Sequence, residues 1–217
     1  KYYWLGTYSP ATANDLTANT TVYATYTKNK TLVITADSGS VTYDGQPHAV
    51  TTGTVSDASL TVSGYTVSGS GTDAGTYPTS VTLGTVLIMS GTTDVTYQYD
   101  VTTANGLLTI NPATTTADSD GYTGTYDNQP HGITVTPKIE GSTVKYSLTN
   151  STNPADYTLT TSPTATNATT GTTVYFVVTN PNYAPVFGDE SIVINKRVVA
   201  LTTATDSKMY NGTALTN

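Results

Sequence analysis

The chain has only two histidines, and each closes a nearly identical nine-residue stretch: TYDGQPHAV at 42–50 and TYDNQPHGI at 125–133. In both, an aspartate (Asp44, Asp127) and the histidine (His48, His131) stand next to a proline-constrained turn. Asp and His in that relation can shuttle a proton or ligate a metal. The competing explanation is a fold signature written more than once. The distance between the copies decides for the second, because Tyr43 and Tyr126 are 83 residues apart and a further copy, TATDSKMYNGTALTN, places Tyr210 another 84 residues on.

The repeat is longer than the motif. ITADSGSVTYDG, TTADSDGYTGTYDN and TATDSKMYNG align upstream of the three tyrosines. A β-branched stretch, GLLTINP or SIVINK, runs into each later copy through a few linker residues. Two places after each tyrosine stands Gly45, Asn128 or Gly212. Gly and Asn are the residues that tolerate φ > 0, so this slot reads as backbone geometry. Pro47 and Pro130 then fix φ before the next strand resumes. The motif is expected to be strand, tight turn, strand. His48 and His131 fall at the foot of the second strand in separate modules, where they cannot converge on one metal, and both are read as structural.

Other groups also invite chemistry. Asp37, Asp118 and Asp206 recur before the turns, and with Asp44, Asp120 and Asp127 they offer carboxylates to a hard cation such as Ca²⁺ at module junctions. No dedicated calcium-loop spacing is present, so turn chemistry and a solvated acidic surface are preferred. Tyr2, Tyr3, Trp4 and Tyr8 could stack on sugar rings, against the plainer reading of residual core. The Asn-x-Ser/Thr triplets at Asn19, Asn29, Asn150, Asn167 and Asn211 are read as chance in a threonine-rich chain. Paired carboxylates in a pKa-raising setting, a nucleophile elbow and a phosphate-binding glycine loop are all missing. No catalytic residue, cofactor or metal site is assigned.

The composition sets the wider frame. In 217 residues, 36% are hydrophobic and 11% charged, and 17 Tyr stand against 2 Phe and 1 Trp. Thr and Tyr suit a pleated, half-buried surface. A net charge of −7, with its 8 basic residues scattered, argues against nucleic acid, whose phosphates need clustered Lys and Arg. Cysteine is absent, which rules out disulfides and Cys-ligated zinc. There is no run of 18 apolar residues, and KYYWLGTYSP lacks the apolar core of a signal peptide, so a soluble piece of a longer protein is expected.

Between the signatures the pattern alternates with period two, as in SLTVSGYTVSGSGTDAGTYPTSVTL, VTYQYDVTTANGLLTI, STVKYSL, ADYTLT and TTVYFVVTN. About seven short strands in each repeat specify an all-β fold of tandem immunoglobulin-like β-sandwiches arranged end to end.

The stretches YDGQPHAV, YDNQPHGITV, DAGTYPTSVTL, TDVTYQYDVTTANGLLTI, TTVYFVVTNPNYAPVFGDESIVINK and LTTATDSKMYNGTALT resemble the MBG-type Ig-like repeats of large surface proteins of mostly Gram-positive bacteria. WLGTYSPATANDLTANTTVYATYTKN is similar to the tail of a Listeria-Bacteroides repeat, a small β-grasp module. The stretch ATNATTGTTVYF departs from the glycine-rich pattern, so the central loops of the second module are expected to differ. The resemblance divides the chain into a β-grasp remnant (1–29), a first Ig-like module (30–112), a second (113–196) and the opening strands of a third (197–217). It implies an extracellular, wall-attached stalk or adhesin and brings no catalytic residue with it.

Two function classes follow. One is a non-enzymatic spacer that holds a distal binding domain away from the cell wall. The other is an adhesive module that itself binds host glycan, mucin or another surface protein. The spacer is favoured, as a monomeric rod that neither inserts in a membrane nor binds nucleic acid, with any host ligand engaged by other parts of the full-length chain. Short linkers at Asn111-Pro112 and Asn195-Lys196 are expected to keep neighbouring modules nearly collinear. Lys138 and Lys145 are the only interior lysines of either module, so no isopeptide cross-link is expected at 31–112 and little prospect of one in the second module.

Overall fold

The computed structural model describes residues 1–9, 23–203 and 207–213, with the backbone alone at 7–9 and 23–25. The chain divides into two compact units, Lys1–Thr115 together with Asn180–Ala184, and Thr116–Thr179 together with Pro185–Asn217. Nearly all regular structure is β, interrupted by 3-10 turns at Thr96–Gln98 and Pro154–Asp156. Among the described residues no helix is long and apolar enough to cross a membrane.

The first unit holds β1 (Tyr2–Ser9), β2 (Tyr23–Lys28), β3 (Lys30–Ala36), β4 (Gly39–Thr42), β5 (His48–Ala49), β6 (Gly53–Val55), β7 (Thr61–Ser68), β8 (Ser70–Gly71), β9 (Gly75–Ser90), β10 (Thr93–Asp94), β11 (Tyr99–Ala104) and β12 (Gly106–Asn111). β1 and β2 form an antiparallel ribbon. The order β11-β3-β6 makes one sheet, and β10-β9-β12-β4, with β7 also on β9, makes another. Alternation along β3 buries Leu32, Ile34 and Ala36. Leu32 meets Ile88 of β9 and Val95, with Val55, Val62 and Val101 packed around them. Side chains from both sheets therefore share one core, which is a β-sandwich. Thr79 is fully buried, and its hydroxyl donates to the Asp37 carbonyl at 2.8 Å, which meets the requirement that a buried polar group be paired.

The second unit is built from β13 (Ala117–Asp120), β14 (Tyr122–Thr125), β15 (Thr134–Pro137), β16 (Thr143–Ser147), β17 (Thr169–Asn180) and β18 (Tyr183–Asn195). β14-β18-β17-β16 form a four-stranded sheet, and β13 pairs with β15. Val174, Phe176 and Val178 alternate along β17 and pack with Ile192, Ile194 and Ile133. Ala117 and Val135, from the β13–β15 pair, close on the same cluster.

The opening and closing strands of each unit run parallel. In the first, Lys30 to Thr35 pair with Tyr99 to Ala104, and Gly39 to Thr42 with Leu108 to Asn111, in one continuous register that crosses from one sheet to the other. In the second, Tyr122 to Thr125 pair with Ile192 to Asn195.

Two expectations about strands need correction. Seven short strands per repeat are not what forms, because β9 runs 16 residues, β17 12 and β18 13. β9 runs through Pro78 and Gly84, pairing with β12 through its first part and with β7 through the rest. ADYTLT is not a strand either. Pro154–Asp156 is a 3-10 turn capped by the Asn153 side chain, Tyr157 is buried with its hydroxyl donating to the Ser151 carbonyl at 2.8 Å, and Leu159 makes only an isolated bridge to Tyr146.

The β7–β9 pair contains a bulge between Ser63 and Tyr65, and Gly64 in it has φ of 80°. A Cβ there would lie 1.9 Å from the Thr85 carbonyl oxygen. Gly64→Ala should therefore lower the melting temperature of the first unit by about 5 °C or more, since left-handed strain of roughly 1–2 kcal/mol adds to the clash. Gly91 has φ of 59° with open space around it, so Gly91→Asn should shift melting by no more than about a degree. Thermal melts by circular dichroism check both.

Candidate functional site

The two Asp–His motifs adopt one geometry. Asp44 Oδ1 accepts from the Gln46 N–H at 2.9 Å and lies 2.9 Å from His48 Nε2. Asp127 Oδ1 accepts from the Gln129 N–H at 2.9 Å and lies 3.0 Å from His131 Nε2. One carboxylate oxygen thus closes an Asx turn and also holds the imidazole that follows the proline. The slot between them is left-handed in all three copies: Gly45 has φ of 78°, Asn128 of 67° and Gly212 of 75°. Asn128 is the one non-glycine residue with positive φ among the described residues.

The turn is fastened on both sides. The Tyr43 N–H donates to the Asn111 carbonyl at 2.8 Å, and the Tyr126 N–H to the Asn195 carbonyl at 2.9 Å, each extending the parallel ladder by one bond. On the far side His48 pairs with Gly71, and His131 exchanges two backbone bonds with Ala165 at 2.9 Å each. Tyr210, Asn211 and Gly212 repeat only the local part. Thr213 N–H donates to Asn211 Oδ1 at 3.2 Å, and Tyr210 is exposed.

The two histidines differ in their surroundings. His131 stacks on the Tyr122 ring with centroids 3.7 Å apart and planes 8° from parallel. Tyr122 in turn covers Gly124, where a Cβ would collide with the ring. Position 41, which precedes Tyr43 as Gly124 precedes Tyr126, is Val, and His48 makes no equivalent ring stack among the described contacts.

Hydrogen bonding sets the electrostatics. The Gln46 N–H and then the His48 ring hold the Asp44 carboxyl below its usual range, while for Asp127 the His131 ring leads and the Gln129 N–H follows. Among the described residues no three His, Cys, Asp or Glu side chains gather as metal ligands would. Asp118 pairs with Lys138 at the surface, and Ser119 Oγ donates to Glu190 at 2.7 Å next to Asp120. Asp206 lies outside the described residues. Both members of the Lys138–Asp118 pair are at least half exposed. Sequence reading missed the Asp–His bond and the Tyr122 stack. The i,i+4 spacing around proline was the available signal for the first.

The chain matches no protein-family model and no curated protein sequence.

Gly45→Val should lower the melting temperature of the first unit by several degrees through strain of roughly 1–2 kcal/mol, while Asn128→Gly should be neutral to mildly stabilising. His48→Ala should cost little. His131→Ala should cost more, by roughly 0.5–1.5 kcal/mol for the lost ring stack, and a ranking with His48 the costlier would contradict this account.

Acid provides a second check. A carboxyl with a lowered folded-state pKa stabilises the fold fully above its unfolded value of about 3.9, and that contribution is lost as pH falls through the folded value. Melting temperature should therefore drop below about pH 4. The Asp44→Asn/Asp127→Asn variant should show a shallower drop than the parent, because Asn keeps the Asx turn but cannot titrate. Asp57 and Asp94, also lowered by local hydrogen bonds, would supply the remaining slope.

Proposed function

We propose that the chain is a non-enzymatic structural repeat region of a large bacterial cell-surface, adhesin-like protein, a wall-attached extracellular stalk that projects a distal binding domain. The observation that carries this reading is the parallel pairing of opening and closing strands, fastened by the same Tyr-to-Asn backbone bond in both units. When the first and last strands of a unit run side by side in the same direction, the chain enters at one end and leaves at the other. Tension applied through the chain then pulls those strands past each other, and every bond of the ladder shares the load. A unit of this kind suits a spacer, whose service depends on a slow unfolding rate under force. The resemblance of the repeats to MBG-type modules supports the same reading, as does the signature's use of Asp and His to hold a turn.

The spacer reading expects the immunoglobulin-like units to lie end to end and to unfold independently. Small-angle scattering should give an elongated monomer, and stretching single molecules should give separate unfolding events, each releasing chain equivalent to roughly 80 residues, or about 25 nm. A compact particle with the units side by side would overturn it. So would strong retention of mucin or a cell-surface protein in a pull-down on residues 30–196, which would favour the adhesive alternative.

A further inference from the structure

We infer that Asn211 is a self-modification site, where the Asn211-Gly212 pair closes to a succinimide, releases ammonia and opens to aspartate, independently of any spacer role. Only two asparagines in the chain precede glycine, Asn105 and Asn211. A glycine nitrogen is the least hindered in the backbone, so these pairs are where such cyclisation is chemically easiest. The fold treats them oppositely. Asn105 joins β11 to β12, and its neighbours are held: Ala104 pairs with Thr35, Gly106 pairs with Thr79, and the Leu107 N–H donates to Ser38 Oγ at 3.0 Å. A Cβ on Gly106 would lie 2.4 Å from the carbonyl oxygens of both Ala36 and Asp37, so this peptide has no room to rotate toward the Asn105 side chain. Asn211 and Gly212 lie in no strand and are exposed, and a Cβ on Gly212 would meet nothing within 4 Å.

The turn also supplies donors where charge develops. Asn211 Oδ1 accepts from the Thr213 N–H at 3.2 Å and from the Thr213 hydroxyl at 2.7 Å, and Lys208 Nζ donates to that hydroxyl oxygen at 2.6 Å. When the deprotonated Gly212 nitrogen attacks Asn211 Cγ, the N–Cγ bond forms and negative charge gathers on Oδ1, which these donors stabilise. Collapse breaks the Cγ–Nδ2 bond, and the side-chain nitrogen leaves as ammonia with a proton returned from solvent. Water then opens the ring. Addition at Cγ breaks the new bond and gives aspartate, whereas addition at the main-chain carbonyl gives isoaspartate, and no electrons change hands in either. The repeat shows what the aspartate product resembles. Asn211 follows Tyr210 as Asp44 follows Tyr43 and Asp127 follows Tyr126. In all three the side-chain oxygen accepts from the N–H two residues on. Hydrolysis to aspartate therefore gives the third turn the acidic form of the other two, with a charge-assisted bond in place of a neutral one.

The whole chain is held at mildly alkaline pH, sampled over days and digested, and the peptides containing Asn105 and Asn211 are followed by mass spectrometry. A parallel sample is held in guanidinium chloride. In buffer Asn211 should convert about tenfold or more faster than Asn105, and in denaturant the two rates should converge, because the protection of Asn105 belongs to the folded strands. Gly212→Ala should nearly abolish conversion at Asn211, and Thr213→Ala should slow it about threefold or more by removing one donor to Oδ1. Equal rates for the two pairs in buffer, or an Asn211 peptide still unchanged when Asn105 has converted, would overturn the inference. A Thr213→Ala chain that converts as fast as the parent would overturn the part assigned to the hydroxyl.

Discussion

The constraint on which each unit depends is the parallel, in-register pairing of early strands with late ones, β3 with β11 and β4 with β12 in the first unit and β14 with β18 in the second. In the first unit this joins residues about 70 positions apart, Lys30 with Tyr99 at one end and Thr42 with Asn111 at the other. Such contacts are expensive in chain entropy and form late, because the loop between the partners must be closed before any of them contributes. Once formed, they bring Leu32 and Ile34 opposite the core faces of the remaining strands and bury them. Without its closing partner, β3 would keep only the short antiparallel pairing of Ile34 to Ala36 with β6.

The repeated turn marks where that pairing must stop. A parallel pair has no tight connection of its own, so the chain needs a reliable way to leave the ladder and return across the sandwich. The signature does this in six residues. Tyr43 makes the last bond to the closing strand, Asp44 and the left-handed Gly45 reverse the chain, Pro47 sets the next direction, and His48 begins the return strand while reaching back to Asp44. Residues that could have been catalytic are occupied with one another. The Asp–His bond at this surface position holds the geometry of the turn.

What the sequence made legible was local. Period-two alternation identified the middle of β17, and the Gly/Asn/Gly slot identified a left-handed position, because both are written in neighbouring residues. Partner choice was not legible, since alternation marks which face of a strand is buried and is silent on which strand lies beside it. β9 runs on through Pro78 and Gly84. Pro78 can sit in the ladder opposite Leu107, and Gly84 follows directly on Leu83, the partner of Tyr65 beside the bulge that Gly64 forms. ADYTLT alternates well enough for a strand, but Pro154 and the capping Asn153 start a 3-10 turn that turns Tyr157 inward. The Tyr122–His131 stack depended on Gly124 leaving room for a ring, a contact visible only once the strand was placed.

The third copy separates the two kinds of information. At Asn211–Thr213 the Asx turn forms and Gly212 takes φ of 75°, although no closing strand lies beside it among the described residues. Val198, Val199, Leu201, Met209 and Tyr210 meanwhile remain between 85% and 96% exposed. The left-handed turn therefore forms on Asn211, Gly212 and Thr213 through local bonds, without the Pro and His of the two fuller copies. A repeat built this way can vary its central loops widely, as ATNATTGTTVYF does, so long as the signature and the closing Ile-Asn stretch keep their spacing.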